Sequence, residues 1–166
     1  MFAPPGRTPT AEGTLDKTPF VHLLVYVADK AMTGTMLFTV PSEPPVQHAV
    51  FFREGAPAKI RTGDPVAYLG RVLLELGLID DDGLNQSLVP LAETKGLHGE
   101  ILLSAGRIDK AGLVAGLRAQ IMRKMAHLFE LPPEAAYGFY ADTNLLDDWG
   151  GPELTPVEPL GLIWSA

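Results

Sequence analysis

A tandem repeat in the middle of the chain constrains the fold more than any other feature of the sequence. The window that begins at Gly70 matches the window that begins at Gly99, with nine identities in 19 positions. The identical pairs are Gly70/Gly99, Leu73/Leu102, Leu74/Leu103, Gly77/Gly106, Ile79/Ile108, Asp80/Asp109, Gly83/Gly112, Leu84/Leu113 and Leu88/Leu117. A period of 29 residues is typical of one supersecondary unit, so two copies of a small motif are expected.

Each copy of the repeat predicts a helix, a tight turn and a second helix. Gly77 and Gly106 suit the left-handed position that ends a helix. Asp80 and Asp109 suit the N-cap of the helix that follows. We therefore expect tandem helix-turn-helix repeats over residues 64–131, packed as a helical layer.

Two other helix starts carry an N-cap residue followed by proline. Thr18-Pro19 precedes an apolar stripe that runs to Ala31, and Asp64-Pro65 stands before the first repeat. Pro is favoured at the first helical position, and Thr or Asp is favoured before it. These pairs predict helices that begin at Thr18 and Asp64.

Strand-like segments flank the helical region. Their shared features are apolar, β-branched or aromatic residues between turn signals. They are Met36–Val40, Val46–Arg53, a short third segment at Pro57–Ile60, and a closing strand at Tyr137–Ala141. The fold class expected is α+β, with a small antiparallel sheet packed on an N-terminal helix and followed by the helical layer.

The prolines and charges divide the chain into three parts. Residues 1–12 are expected to be a flexible leader, and residues 13–142 a single domain with its sheet part at 13–62. Thirteen basic and twenty acidic residues give a net charge of −7, and all 13 basic residues precede Glu130. Residues 143–166 are therefore predicted to be an acidic Pro/Gly-rich tail or a linker to a missing domain.

The same composition excludes several classes of function. A neutral body with an acidic tail disfavours nucleic-acid binding. The chain has no Cys, which excludes disulfides and thiolate metal sites. It lacks an apolar run of 18 residues and a signal-peptide pattern, so a cytoplasmic protein that does not enter the membrane is expected.

Catalytic and metal-binding residues are not predicted. His22, His48, His98 and His127 are far apart in sequence and lack the spacing of a metal-binding helix. Asp80-Asp81-Asp82 is explained as an N-cap with acidic residues in the first helical turn. No enzymatic activity, metal or cofactor is therefore expected.

A contact surface is predicted in the second repeat instead. The expected interaction residues are basic or apolar, and they are Arg107, Lys110, Arg118, Met122 and Arg123. Arg and Met are enriched at protein interfaces. The partner is expected to be another protein, with a homodimer as one form of the contact.

The order of several motifs resembles the PATAN domain, a bacterial domain of unknown function. The motifs are Gly13-Thr14-Leu15, Phe20-Leu23-Leu24, Thr33-Gly34-Thr35-Met36, Val50–Gly55 and the Leu-Gly repeat, which together span about residues 12–142. The resemblance implies a regulatory, non-catalytic module of bacterial signalling. It also implies a link to surface motility or pilus control.

The repeat is also similar to the MshEN domain of secretion and pilus ATPases, which binds cyclic di-GMP. The matching positions are Tyr68-Leu69-Gly70 and Leu97-His98-Gly99, with Gln120 at the trailing position of the second copy. Both copies lack the arginine of the family motif, so cyclic di-GMP is not expected to bind tightly. The alternative function is nevertheless a small-ligand sensor that binds a cyclic dinucleotide through these residues.

Overall fold

The computed structural model describes residues 6–152 and 154–165. The chain divides into two compact units, and the first contains the described residues up to Val66 together with those from Ile121 onward. The second unit is Ala67–Gln120. Among the described residues, no helix combines the length and the apolar character that crossing a bilayer requires.

The first unit is built on a five-stranded antiparallel sheet. Its strands are β1 (Ala11–Thr14), β2 (Gly34–Val40), β3 (Val46–Arg53), β4 (Ala56–Arg61) and β5 (Ala136–Ala141). Their spatial order is β1-β5-β2-β3-β4. The α+β class and the antiparallel pairing of β2 with β3 are therefore confirmed. The last strand does not close the sheet at an edge, because β5 pairs with both β1 and β2.

Helix α1 (Phe20–Asp29) follows β1 and buries one apolar face. Phe20, Leu23, Leu24 and Val27 are buried, and the ring of Phe20 meets Phe38 of β2 edge to face at 5.4 Å. The helix begins later than expected. Its N-cap position is Pro19, and no side chain caps it, so the N-cap predicted at Thr18 is wrong.

Alternation along β3 creates a separate core on each face of the sheet. Val50 and Phe52 join α1 in the larger core, whereas Ala49 and Phe51 join a smaller core on the opposite face. This is the side-chain period of a strand buried on both faces. His48 is in phase with Val50 and Phe52, so its position lies on the face of the larger core.

The ends of the chain are more ordered than their composition suggests. Ala11 and Glu12, expected in a flexible leader, lie in β1. Leu146 and Leu162 of the expected tail are buried, the latter in helix α6 (Pro159–Ser165). The intervening backbone also lies along β4, since the Thr155 and Val157 amides donate to the carbonyls of Ala58 and Pro57. The start of the leader, residues 1–5, lies outside the described residues.

The second unit contains the two repeats up to Gln120, and the rest of their last helix belongs to the first unit. Helices α2 (Leu69–Glu75) and α3 (Asp81–Thr94) form the first copy, and α4 (His98–Ser104) leads to α5 (Lys110–Leu128) in the second. The turns are as predicted, because Gly77 and Gly106 have φ values of 68° and 65°. The Asp80 and Asp109 carboxylates each accept a 2.7 Å hydrogen bond, from the amides of Gly83 and Gly112.

The start of α2 differs from the prediction. Its N-cap is Tyr68 and not Asp64, and Ala67 just before it has a left-handed φ of 50°. A left-handed residue interrupts a right-handed helix. A helix started at Asp64 therefore cannot propagate into α2, and the Asp64 side chain is left for another role.

Candidate functional site

Three polar side chains that are distant in sequence meet in the first unit: His48, Asp64 and His127. His127 Nε2 lies 3.1 Å from Asp64 Oδ2, and His48 Nε2 lies 3.8 Å from the same oxygen. One nitrogen or oxygen atom from each residue lies within 4.8 Å of the other two. We call these residues the His-Asp-His cluster.

His48 reaches the cluster because β3 presents it on the face of the larger core, opposite Phe38 of β2. The loop after β4 then passes close to β3. A Cβ on Gly63 would lie 2.6 Å from the Gln47 carbonyl oxygen, so this approach requires a glycine. As a result, the Gly63 amide nitrogen lies 3.4 Å from His48 Nδ1, and Asp64 lies on the Nε2 side of the same ring.

His127 comes from the last turn of α5, where Met125 and Leu128 are buried in the larger core. Its ring lies 5.7 Å from that of His48. Its second nitrogen, Nδ1, lies 3.9 Å from the carboxylate of Glu130. The sheet therefore positions the imidazole ring of His48, and the end of α5 positions the imidazole ring of His127.

The environment of His48 is unusual for a polar side chain. Its side chain has no exposed surface, and Nε2 has no hydrogen-bond partner. Burial lowers the pKa of His48, an effect that Asp64 opposes and His127 reinforces. The imidazole is therefore neutral near pH 7, and a buried polar atom without a partner costs free energy.

The directions of the hydrogen bonds determine which imidazole nitrogens of the cluster carry protons. A carboxylate only accepts, so His127 Nε2 donates to Asp64. The Gly63 amide donates to His48 Nδ1, which leaves the proton of neutral His48 on Nε2. Both imidazole Nε2 atoms therefore face a single carboxylate oxygen. Asp64 is within hydrogen-bonding distance of only one of them.

Access to the cluster is one-sided. His48 is fully buried, whereas the side chains of His127 and Asp64 are 25% and 44% exposed. Two imidazoles and a carboxylate are common ligands of divalent transition metals. A small ion can therefore approach the cluster from the solvent side, where His127 and Asp64 are partly exposed. The Nε2 atom of His48, which has no hydrogen-bond partner, lies on the buried side.

The residues of the predicted nucleotide site all belong to the second unit, where other side chains of that unit fill the space beside the motif glycines. A Cβ on Gly70 would lie 2.4 Å from the ring of His98, and a Cβ on Gly99 would lie 2.7 Å from Leu113. His98 Nε2 lies 2.7 Å from Ser87 Oγ. The space beside both glycines is thus filled by protein side chains.

The remaining positions of that motif are distributed differently. Leu69 packs on the apolar cluster of the second unit, and Tyr68 is largely exposed. Leu97 is the N-cap of α4, and Gln120 Nε2 donates to the Ala67 carbonyl at 2.8 Å. The amide predicted to read a ligand is therefore engaged with the backbone.

The predicted interaction residues are divided between the two units. Arg107, Lys110 and Arg118 are exposed in the second unit, and Arg107 donates to the Gln86 side chain. Met122 and Arg123 belong to the first unit. Met122 is half-buried and packs on the larger core, and its role in partner binding stays a prediction.

Lys59 and Arg61 lie on the outer strand β4 and contact the segment that follows β5, although Arg61 itself is exposed. Lys59 is buried, and its Nζ donates to the Gly151 carbonyl at 2.9 Å. The guanidinium of Arg61 and the Nζ of Lys124 both lie over the ring of Trp149, at 5.7 and 5.5 Å. Burial lowers the pKa of Lys124.

Sequence reasoning missed the His-Asp-His cluster because its members are separated by 16, 63 and 79 positions. One signal was present. His48 occupies an inward-facing position in a strand whose other inward-facing residues are apolar, and such a polar residue needs a partner. The partner could not be named, because Asp64 was interpreted as a helix cap.

Comparison of the chain with protein-family models, with curated proteins and with solved structures finds no match.

Proposed function

We propose that this chain is a non-catalytic regulatory module that acts by binding another protein. The resemblance to the PATAN domain suggests a role in bacterial signalling, with surface motility or pilus control as the process regulated. In this proposal the paired helix-turn-helix repeats are the part that presents the contact surface.

The single observation that carries the proposal is the exposure of two large apolar side chains on α3. Its buried residues are Gly83 and Ser87, whereas Leu88 and Val89 are exposed. A surface helix normally buries its large apolar side chains and exposes its small and polar ones. An interface that takes up Leu88 and Val89 would remove the cost of their contact with water.

Basic side chains of the same unit support a protein partner. Arg107 contacts Gln86 of α3, and Lys110 and Arg118 of α5 are exposed. Protein interfaces commonly combine an apolar centre with a polar rim in which arginine is enriched. We therefore extend the predicted basic surface to α3, with Leu88 and Val89 replacing Met122 as its apolar part.

The alternative, a cyclic-dinucleotide sensor, has less support. Its two motif glycines face side chains of the same unit, and the polar atoms of His98 and Gln120 are engaged within it. Binding would have to displace these contacts without the arginines that recognise guanine and phosphate.

Site-specific photo-crosslinking in the source cell tests the proposal. A photoreactive phenylalanine analogue replaces Val89 in one variant and Tyr26 of α1 in the control. The two sites are matched, because they are 60% and 57% exposed in different units. We expect a crosslinked protein from position 89 and none from position 26, and a second copy of the chain would identify the contact as a homodimer.

Two results would contradict the proposal. Crosslinks from position 26 alone would assign the contact to α1. A calorimetric titration of the isolated chain that gives a low-micromolar Kd for cyclic di-GMP would favour the sensor.

A further inference from the structure

We propose that His48, Asp64 and His127 form a binding site for a divalent transition-metal ion, with Zn²⁺ as the ion that fits best. The site is separate from the surface proposed for partner binding. It would tie together β3, the loop after β4 and the end of α5, which all belong to the first unit.

The first argument is the choice and spacing of ligand atoms. In a tetrahedral site with metal–nitrogen distances of ~2.0–2.1 Å, neighbouring ligand atoms lie about 3.3 Å apart. The observed separations of the two Nε2 atoms from Asp64 Oδ2 are 3.1 and 3.8 Å. Side-chain shifts of well under 1 Å would bring both pairs to the spacing of bound ligands, and the two histidine nitrogens, which lie up to 4.8 Å apart, would have to move closer together as well.

The second argument, independent of spacing, is the orphaned nitrogen of His48. Nε2 is fully buried, has no hydrogen-bond partner and faces Asp64. Fully buried polar atoms almost always have a partner. A metal ion bound at Nε2 supplies that partner, and the three protein ligands leave the fourth tetrahedral position for a water molecule.

The third argument is the position of Glu130. A histidine that binds a metal through one nitrogen commonly donates from the other to a carboxylate. Glu130 lies 3.9 Å from His127 Nδ1, on the side of the ring away from Asp64. Glu130 is thus placed to orient the ligand by accepting from Nδ1–H when the metal occupies Nε2.

Binding also changes the protons of the cluster in a defined way. His127 and His48 both carry their protons on Nε2 without metal, so each ring must release that proton or move it to Nδ1. In His48, a proton on Nδ1 would break the 3.4 Å hydrogen bond that the Gly63 amide donates to this atom. The bond between Nε2 and the metal would replace it. Affinity should therefore fall as the pH is lowered, because protons compete for both nitrogens.

The test is titration of the full chain, free of any polyhistidine tag and stripped with a chelator, with Co²⁺ as a spectroscopic probe and with Zn²⁺ in competition. We expect one Co²⁺ per chain, visible absorption bands of a tetrahedral site, and their loss when Zn²⁺ is added. Zn²⁺ should also raise the Tm.

Variants identify the ligands. His127→Gln and Asp64→Asn should each weaken Co²⁺ binding at least tenfold, and Glu130→Gln should weaken it less. His22→Gln is the matched control, since His22 is an exposed histidine of the same unit. Circular dichroism of each variant verifies that it is folded.

The proposal is overturned if the stripped chain binds neither ion, or if His127→Gln and Asp64→Asn bind as the unmodified chain does. Loss of binding in His22→Gln would equally assign the ion to another site. Partner crosslinking at position 89 does not depend on these results, so the two proposals can fail separately.

Discussion

At the scale of single residues, burial decides which histidines can take up a proton. His98 Nε2 pairs with Ser87 Oγ, whose own proton is donated to the Leu84 carbonyl. Ser87 Oγ therefore accepts from His98 Nε2–H, a hydrogen bond that the ring can make with one proton or with two. Burial lowers the pKa of His98, so the folded chain resists the second proton.

The free energy of unfolding is expected to decrease as the pH falls below about 6.5, the ordinary pKa of histidine. Below that value the unfolded chain binds a proton that folded His98 does not, and the stability present above it is lost. His98→Asn should reduce this slope, measured by urea unfolding between pH 7.5 and 5.5. The exposed His22→Asn control should keep it. An unchanged slope in His98→Asn would contradict the neutral ring.

Asp64 and Asp80 show what sequence can and cannot determine at this scale. Both aspartates stand before a predicted helix, yet only Asp80 caps one. The Asp80 environment is local, since its partner Gly83 lies three residues away. The Asp64 environment depends on the left-handed Ala67 and on contacts with His48 and His127. Such distant contacts leave no local sequence pattern.

At the scale of elements, the turns of the repeat are fixed by backbone conformation alone. Gly106 ends α4 with a φ of 65°, and a Cβ built on it would meet no atom within 4 Å. The same is true of Gly77 after α2. Substitution at either position is therefore a test of backbone strain without a packing contribution.

Gly106→Ala is expected to lower the free energy of unfolding by about 1 kcal/mol, since alanine is strained in the left-handed region. Gly106→Asn should cost less, because asparagine tolerates this conformation. Chemical denaturation of both variants measures the difference. Equal stability of the alanine variant and the unmodified chain would refute the strain argument.

Elements with a strong periodic pattern or a repeated motif were predictable, and β1 and α6, which have neither, were not. The strands β2 and β3 and the long α5 carry continuous apolar patterns. In contrast, β1 has only four residues, and α6 lies in a segment rich in proline and acidic residues. Both owe their order to tertiary contacts, as the burial of Leu162 in the larger core indicates.

At the scale of the whole molecule, the described residues after Leu146 belong to the first unit, and Val157 and Leu162 contribute to its core. Leu162 and Trp164 are neighbours on α6, with 2% and 91% of their surface exposed. Substitutions of these two residues therefore test whether α6 is part of the core of the first unit or an attached tail.

Leu162→Ala is expected to lower the free energy of unfolding by about 2–4 kcal/mol through lost burial and a residual cavity. Trp164→Ala is the control, and it should change the stability by less than about 0.5 kcal/mol because its side chain is exposed. Thermal and urea unfolding of both variants measure the contrast. If Leu162→Ala is as stable as the control, α6 does not contribute to the core.

The hydrogen bonds from Thr155 and Val157 to β4 also affect aggregation. An unpaired outer strand is a template on which another chain can add a strand, and repetition of that step builds fibrils. Here the Ala58 and Pro57 carbonyls are already occupied by the chain's own backbone. Proteolytic removal of the residues after Asp142 would therefore leave the backbone of β4 free to pair with another chain, and it would also weaken the core. The cleaved protein should precipitate sooner than the intact one.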